Sequence, residues 1–154
     1  MGYVMTLHKS KFCIKKENLA RATEALKNVM MESCLSTNRS FLKHHFGEDF
    51  NPDDLDVKLV FEAWRWHPVF ESEDPKEPGD ITDIWFMGEK IRDDSYFFSL
   101  LAPYVESGSY LVMIGEDHEI WRWYFSGGEC LEQEGEIYFN ENGEKKKLRS
   151  FSIS

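Results

Sequence analysis

Residues 92–125, RDDSYFFSLLAPYVESGSYLVMIGEDHEIWRWYF, decide the fold. Asp93 and Asp94 stand ahead of an apolar run and suit a helix N-cap. Phe97, Phe98, Leu101, Tyr104 and Val105 then recur at spacings of three and four, the mark of one helical face. Pro103 cannot donate to a helical ladder, so the regular helix is expected to end near Ala102. Gly108, in a Ser-Gly-Ser turn, is placed for a positive φ. Residues 110–114 are strand formers, and residues 115–119, GEDHE, turn the chain. From 120 to 125 the pattern alternates. Trp121, Trp123 and Phe125 share one face, and Ile120, Arg122 and Tyr124 share the other. At roughly 150–250 Å² per aromatic and about 25 cal/mol per Å², three buried rings contribute on the order of 10 kcal/mol before entropy. This hairpin and its preceding helix are therefore expected to centre the core.

Working outward, Ser126-Gly127-Gly128 reads as a hairpin turn, and residues 130–139 as a last strand. Residues 141–154, with Lys145, Lys146 and Lys147, read as a polar basic tail beyond a single domain of residues 1–140. Upstream, residues 81–87 form a strand that is apolar on both faces and so expected to be central. Residues 66–71 form another strand, with Pro68 favouring an edge or the strand start. Residues 72–80, SEDPKEPGD, are a polar loop. Asn51-Pro52-Asp53-Asp54 is a strong helix start for a helix running to about Trp64. Phe41, Leu42, His45 and Phe46 suggest a short helix after Thr37-Asn38, and residues 15–30 an amphipathic one with Leu19, Ala22, Leu26, Val29 and Met30 inward. Residues 3–6 and 12–14 read as a strand or a broken strand, with Lys9-Ser10-Lys11 between them. The expected architecture is α+β: a single antiparallel sheet of about five or six strands covered by about three helices.

The pattern APYVESGSYLVMIGEDHEIWRWYF (residues 102–125), with the opening FCIKKENLARATEAL (residues 12–26), resembles a group of small uncharacterised bacterial and phage proteins. Those carry a similar APYVE–GSY–GED–WRW–F arrangement near the C-terminus. The resemblance implies a compact domain of bacterial or phage source. It brings no catalytic residues, because the group has no established activity.

Charge narrows the partners. The chain of 154 residues has a formal charge of −10. Residues 1–50 are net +3 and residues 51–154 net −13. Acidic groups at Glu71, Glu73, Asp74, Glu77, Glu116, Asp117 and Glu119 are expected to form an anionic surface. Such a surface argues against nucleic acid and anionic membranes, and favours a protein partner. Imitation of nucleic acid in a partner's basic groove is a sharper form of the same idea. No window of about 20 apolar residues exists, and the first residues show no signal-peptide pattern, so a cytoplasmic protein is expected. Cys13, Cys34 and Cys130 form no CxxC pair and imply neither a disulfide framework nor a zinc ribbon.

Three constellations are candidates for chemistry. Glu116, Asp117, His118 and Glu119 gather carboxylates and an imidazole in one turn, but the turn is too short to wrap a divalent cation alone. His44, His45, His67 and His118 are metal-ligand types without a chelating spacing. Trp64-Arg65-Trp66 and Trp121-Arg122-Trp123 each set an arginine between indoles. Arg65 and Arg122, with Trp64 and Trp66, would suit a nucleotide-like anion if the two segments were neighbours. No P-loop, nucleophile elbow or dinucleotide fingerprint is present, so neither a cofactor nor a catalytic residue is assigned. The function expected is a non-enzymatic interaction protein of a phage or mobile element, with an anion-binding protein as the alternative.

Overall fold

The structure, a computed structural model, describes residues 2–30, 47, 55–72, 74, 78–141 and 144–150, with backbone alone for 139–141 and 144–150. In chain order the elements are β1 (Met5–Lys11), α1 (Lys16–Lys27), α2 (Val57–Ala63), β2 (Trp66–Phe70), β3 (Ile81–Phe86), α3 (Asp94–Leu101), a 3-10 turn (Ala102–Tyr104), β4 (Tyr110–Gly115), β5 (Ile120–Ser126), β6 (Glu129–Glu134), β7 (Glu136–Glu141) and β8 (Glu144–Ser150). The class is α+β, with antiparallel strand pairing and three helices among the described residues.

The period-two pattern of β5 becomes two different faces. Trp121, Trp123 and Phe125 are buried, while Arg122 and Tyr124 between them are half-exposed. Phe98 on α3 seals the inner face. Its ring lies 4.9 Å from Trp123, 4.9 Å from Trp66, 5.0 Å from Phe97, 5.8 Å from Phe125 and 6.4 Å from Phe12, measured between centroids. Most of these contacts are edge-to-face, the arrangement that the ring quadrupole favours. Pro103 ends the α-helical ladder as expected, and the chain continues as the 3-10 turn. Gly127 and Gly128 have φ of 59° and 82°, which lets a two-residue turn join β5 to β6.

The expected single sheet is divided. Its main part is four-stranded, in the order β1-β4-β5-β6, and β2-β3 and β7-β8 are separate ribbons. The β2-β3 ribbon nevertheless lies along β1. Ile14 and Ile81 exchange backbone hydrogen bonds at one end, and Met5 N donates to Glu89 O at the other. Between them Ser10 Oγ donates to Asp83 Oδ1 at 2.7 Å. The seam is thus paired at its ends and bridged by side chains within. β1 is continuous through Lys9, Ser10 and Lys11, and its irregularity is a register shift between Leu7 and Lys9.

Three further expectations are corrected, and a fourth is met in part. β3 lies between β2 and the β1 edge, but Trp85 is 57% and Met87 49% exposed, because no described element covers that face. The single last strand breaks at Gly135 into β6 and β7, which belong to different sheets. Residues 144–150, expected as tail, pair with β7 as β8. Helix α2 begins at Val57 behind Asp56, whose carboxylate accepts from Leu59 N at 2.8 Å. The expected start at 51–54 and the short helix at 37–46 lie outside the described residues.

Helix α1 takes its cap from a distant loop. Lys15 at the N-cap position makes no side-chain cap, and Asp80 accepts from Lys16 N at 2.8 Å. That bond, helped by the charge of Lys15, holds the Asp80 carboxyl below the ordinary aspartate value. Its contribution to stability is present above that ordinary value and is lost as pH falls through the lowered one.

Candidate functional site

Arg65 sits where α2 ends. Its φ of 74° is left-handed, a conformation that costs a residue with a Cβ about 1 kcal/mol or more. The return is a buried ion pair. Arg65 is 9% and Asp94 1% exposed. Arg65 Nη2 donates to both Asp94 oxygens, at 3.0 and 2.8 Å, and Nη1 donates to Lys90 O at 2.6 Å. Asp94 also accepts from Trp66 Nε1 at 2.8 Å and from Arg92 N at 2.9 Å. The guanidinium lies over the Phe86 ring and against Gly88, where a Cβ would stand 2.6 Å from Nη1. These groups fasten α2 and β2 to the start of α3. Trp64 and Trp66 are buried beside the node, at 3% and 0% exposure. Three of the four candidate anion-binding residues, Arg65, Trp64 and Trp66, are therefore committed to the interior.

Arg122 is elsewhere. It occupies the outer face of β5, opposite the side on which Trp123 meets Trp66, so Arg65 and Arg122 do not converge. Arg122 Nε donates to Gln133 Oε1 at 2.7 Å, and its guanidinium lies 4.6 Å from the centre of the Tyr124 ring. A shallow depression of about 450 Å³ adjoins it, bounded by Val112, Ile120, Trp121, Gln133, Glu134 and Gly135, with Trp121 only 3% exposed.

Strand register adds neighbours that linear sequence did not offer. Lys11 pairs with Tyr110, Tyr110 with Tyr124, and Tyr124 with Leu131. Lys9 pairs with Val112, Val112 with Arg122, and Arg122 with Gln133. Directly paired residues share a face, and Leu111 and Met113 point inward. Lys9, Lys11, Tyr110, Arg122 and Tyr124 consequently stand together on the outer face. The signal in the sequence was the alternation Lys9-Ser10-Lys11, once those residues are recognised as strand.

The acidic residues do not form one surface. Glu116, Asp117 and Glu119 lie at the β4–β5 tip, where Glu116 N donates to Val4 O. Glu71 and Asp74 lie in the loop that returns to Asp80 at the far end of β1. Glu73 and Glu77 fall outside the described residues. His118 is on the exposed tip with φ 66°, and His67 is on β2. His44 and His45 fall outside the described residues. Among the described residues no three potential metal ligands cluster.

A second cavity, of about 610 Å³, is bounded by Thr23 and Lys27 of α1, Leu55 and Val57, His67 and Phe70 of β2, and the loop at Ser72 and Pro78. At its edge Glu62 Oε1 lies 3.5 Å from His67 Nδ1 and 3.9 Å from Lys58 Nζ, contacts too long or misaligned for a hydrogen bond.

The thiols are set against nucleophilic chemistry. Burial, and secondarily Glu132, pushes the Cys130 thiol up to about 12, and burial also raises Cys13. At pH 8 Cys130 is expected to resist iodoacetamide in the native protein and to react after unfolding, read by peptide mass spectrometry. Rapid native labelling at Cys130 would show that it is not buried as described. Cys34 falls outside the described residues.

Among the described residues no helix is long and apolar enough to cross a membrane. No protein-family model, curated protein or solved structure matches the chain.

Proposed function

We propose that the protein is a non-enzymatic binding module for a nucleotide-like anion, received on the outer sheet face by Arg122. The observation that carries this is the set of the guanidinium itself. The Tyr124 ring beneath it and the Gln133 bond to Nε hold the side chain in place. Among the residues described with their side chains, no carboxylate lies within ion-pair distance of it. The terminal N–H groups are thus a pre-positioned fork of the kind that suits phosphate. Tyr110, paired with Tyr124, adds a second flat surface for a base.

One phosphate contact and one stacked ring correspond to a Kd on the order of 0.1–1 mM. Titration with thymidine monophosphate, followed by backbone amide NMR, is expected to shift resonances of β4, β5 and β6 saturably. Arg122→Ala is expected to abolish the shifts. Absence of saturable shifts across the four mononucleotides would sink the proposal.

A protein partner is the second reading. It is favoured by the exposed acids Glu71, Asp74, Glu116 and Asp117 and by the two exposed apolar side chains Trp85 and Met87. Retention of a single partner from host lysate, lost at high salt and lost in Trp85→Ser, is the expected result. Retention unaffected by both would count against it.

A further inference from the structure

We infer that the physiological ligand of the outer face is a single-stranded nucleic acid, bound by its backbone and by base stacking without sequence readout. This rests on the preceding assignment of Arg122 and extends it along the sheet. It also reverses what the overall charge suggested.

The face carries more than one nucleotide uses. Two rows cross β1, β4 and β5 side by side: Lys11–Tyr110–Tyr124 and Lys9–Val112–Arg122. Rows two residues apart along a strand are separated by about 6.8 Å. Each row pairs a cation with a flat or apolar surface, so the recognition unit is repeated. A mononucleotide would use Arg122 and the neighbouring rings and leave Lys9 and Lys11 for further phosphates. A flexible strand would follow both rows.

The cations are the second argument. Lys9 and Lys11 are exposed, and among the residues described with their side chains neither they nor Arg122 has a carboxylate at ion-pair distance. This holds in a chain with 28 acidic residues against 18 basic ones. Glu132 and Glu134 flank Gln133 on β6 and pair with Trp123 and Trp121, so neither is in register with Arg122. Glu134 also borders the depression beside Arg122.

Screening answers the objection of net charge. Val112 and Tyr110 stand three and five residues from Gly115, so the two rows lie about 10 and 17 Å from the acidic tip beyond β4. The Debye length at physiological ionic strength is about 8 Å. The local cations therefore dominate along the two rows, while the acidic tip bounds the ligand at that end. Duplex is disfavoured because its bases are not free to lie on a flat sheet.

The test uses the full chain with three probes: thymidine monophosphate, a short fluorescein-labelled oligothymidylate, and that strand annealed to oligoadenylate. The single strand is expected to bind at least about tenfold tighter than the monophosphate and than the duplex. With three cations engaged, the slope of log K against log salt is expected near −2, from about −0.7 per phosphate. Lys9→Ala combined with Lys11→Ala, both at exposed positions, is expected to reduce oligonucleotide affinity about tenfold or more. It should flatten the slope toward about −0.7 and weaken monophosphate binding far less than Arg122→Ala does. If the oligonucleotide binds no tighter than the monophosphate, or the lysine pair is without effect, the inference is wrong while the Arg122 assignment stands. If neither probe binds, both are wrong.

Discussion

Asp94→Ala is expected to destabilise the protein by about 3–5 kcal/mol, the range for removing one partner of a buried ion pair. The carboxylate accepts from Arg65, from the Trp66 indole and from the Arg92 amide, and is 1% exposed. Truncation leaves the Arg65 charge buried with only the Lys90 carbonyl as partner. It also leaves the Trp66 N–H unmatched, a further desolvation cost. Urea unfolding followed by circular dichroism measures this. At about 2–4 °C per kcal/mol for a chain of this size, the midpoint of thermal unfolding is expected to fall by roughly 10 °C. Asp94→Asn retains an acceptor for the indole and is expected to lose less. A loss below about 1 kcal/mol for Asp94→Ala would mean that the node is solvated, and would return Arg65 to the list of candidate ligand-binding residues.

Phe98→Ala is the second large effect, at about 3–5 kcal/mol. The ring is fully buried and touches five other aromatic residues from four different parts of the chain. Relaxation cannot fill the space, because the surrounding rings are themselves held by β5, β2 and the segment after β1. Phe98→Leu keeps most of the volume and is expected to cost about 1.5 kcal/mol or less. Tyr96, two residues away on the other side of the helix and 38% exposed, gives the contrast: Tyr96→Ala is expected to cost under about 1 kcal/mol. Urea midpoints for the three variants should separate in that order. Equal losses at Phe98 and Tyr96 would contradict the assignment of the α3 face.

What was legible in the sequence was whatever a short window encodes. The alternation in β5, the three- and four-residue spacing in α3, the stop at Pro103 and the Gly127-Gly128 turn all became structure as read. Each follows from local backbone geometry and from which side of a single element is apolar. What was not legible depended on partners far along the chain. Asp94 looks like a cap beside Asp93, but its oxygens answer to Arg65, 29 residues away. The cap of α1 comes from Asp80, 64 residues from Lys16. Lys9 and Lys11 looked like an interruption because lysine is a poor strand former, yet a strand with one solvated face takes it readily. Asn142-Gly143, a dipeptide that hairpin turns favour, stands in sequence between β7 and β8 and was the overlooked sign that the basic segment is a strand. The candidate binding face was the least legible part. Its members come from three strands, and only the register of β1 on β4 and β4 on β5 brings them together.

Everything above depends on β5 turning its indoles inward and its arginine outward. Iodide quenching of tryptophan emission measures this directly. Of five tryptophans, Trp64, Trp66, Trp121 and Trp123 are 3% exposed or less, while Trp85 is 57% exposed. The native protein is expected to show one quenchable component, and Trp85→Phe is expected to remove it. Strong iodide quenching that persists in folded Trp85→Phe would mean that the Trp121 or Trp123 indole is open to solvent, and the division between a structural face and a binding face would be wrong.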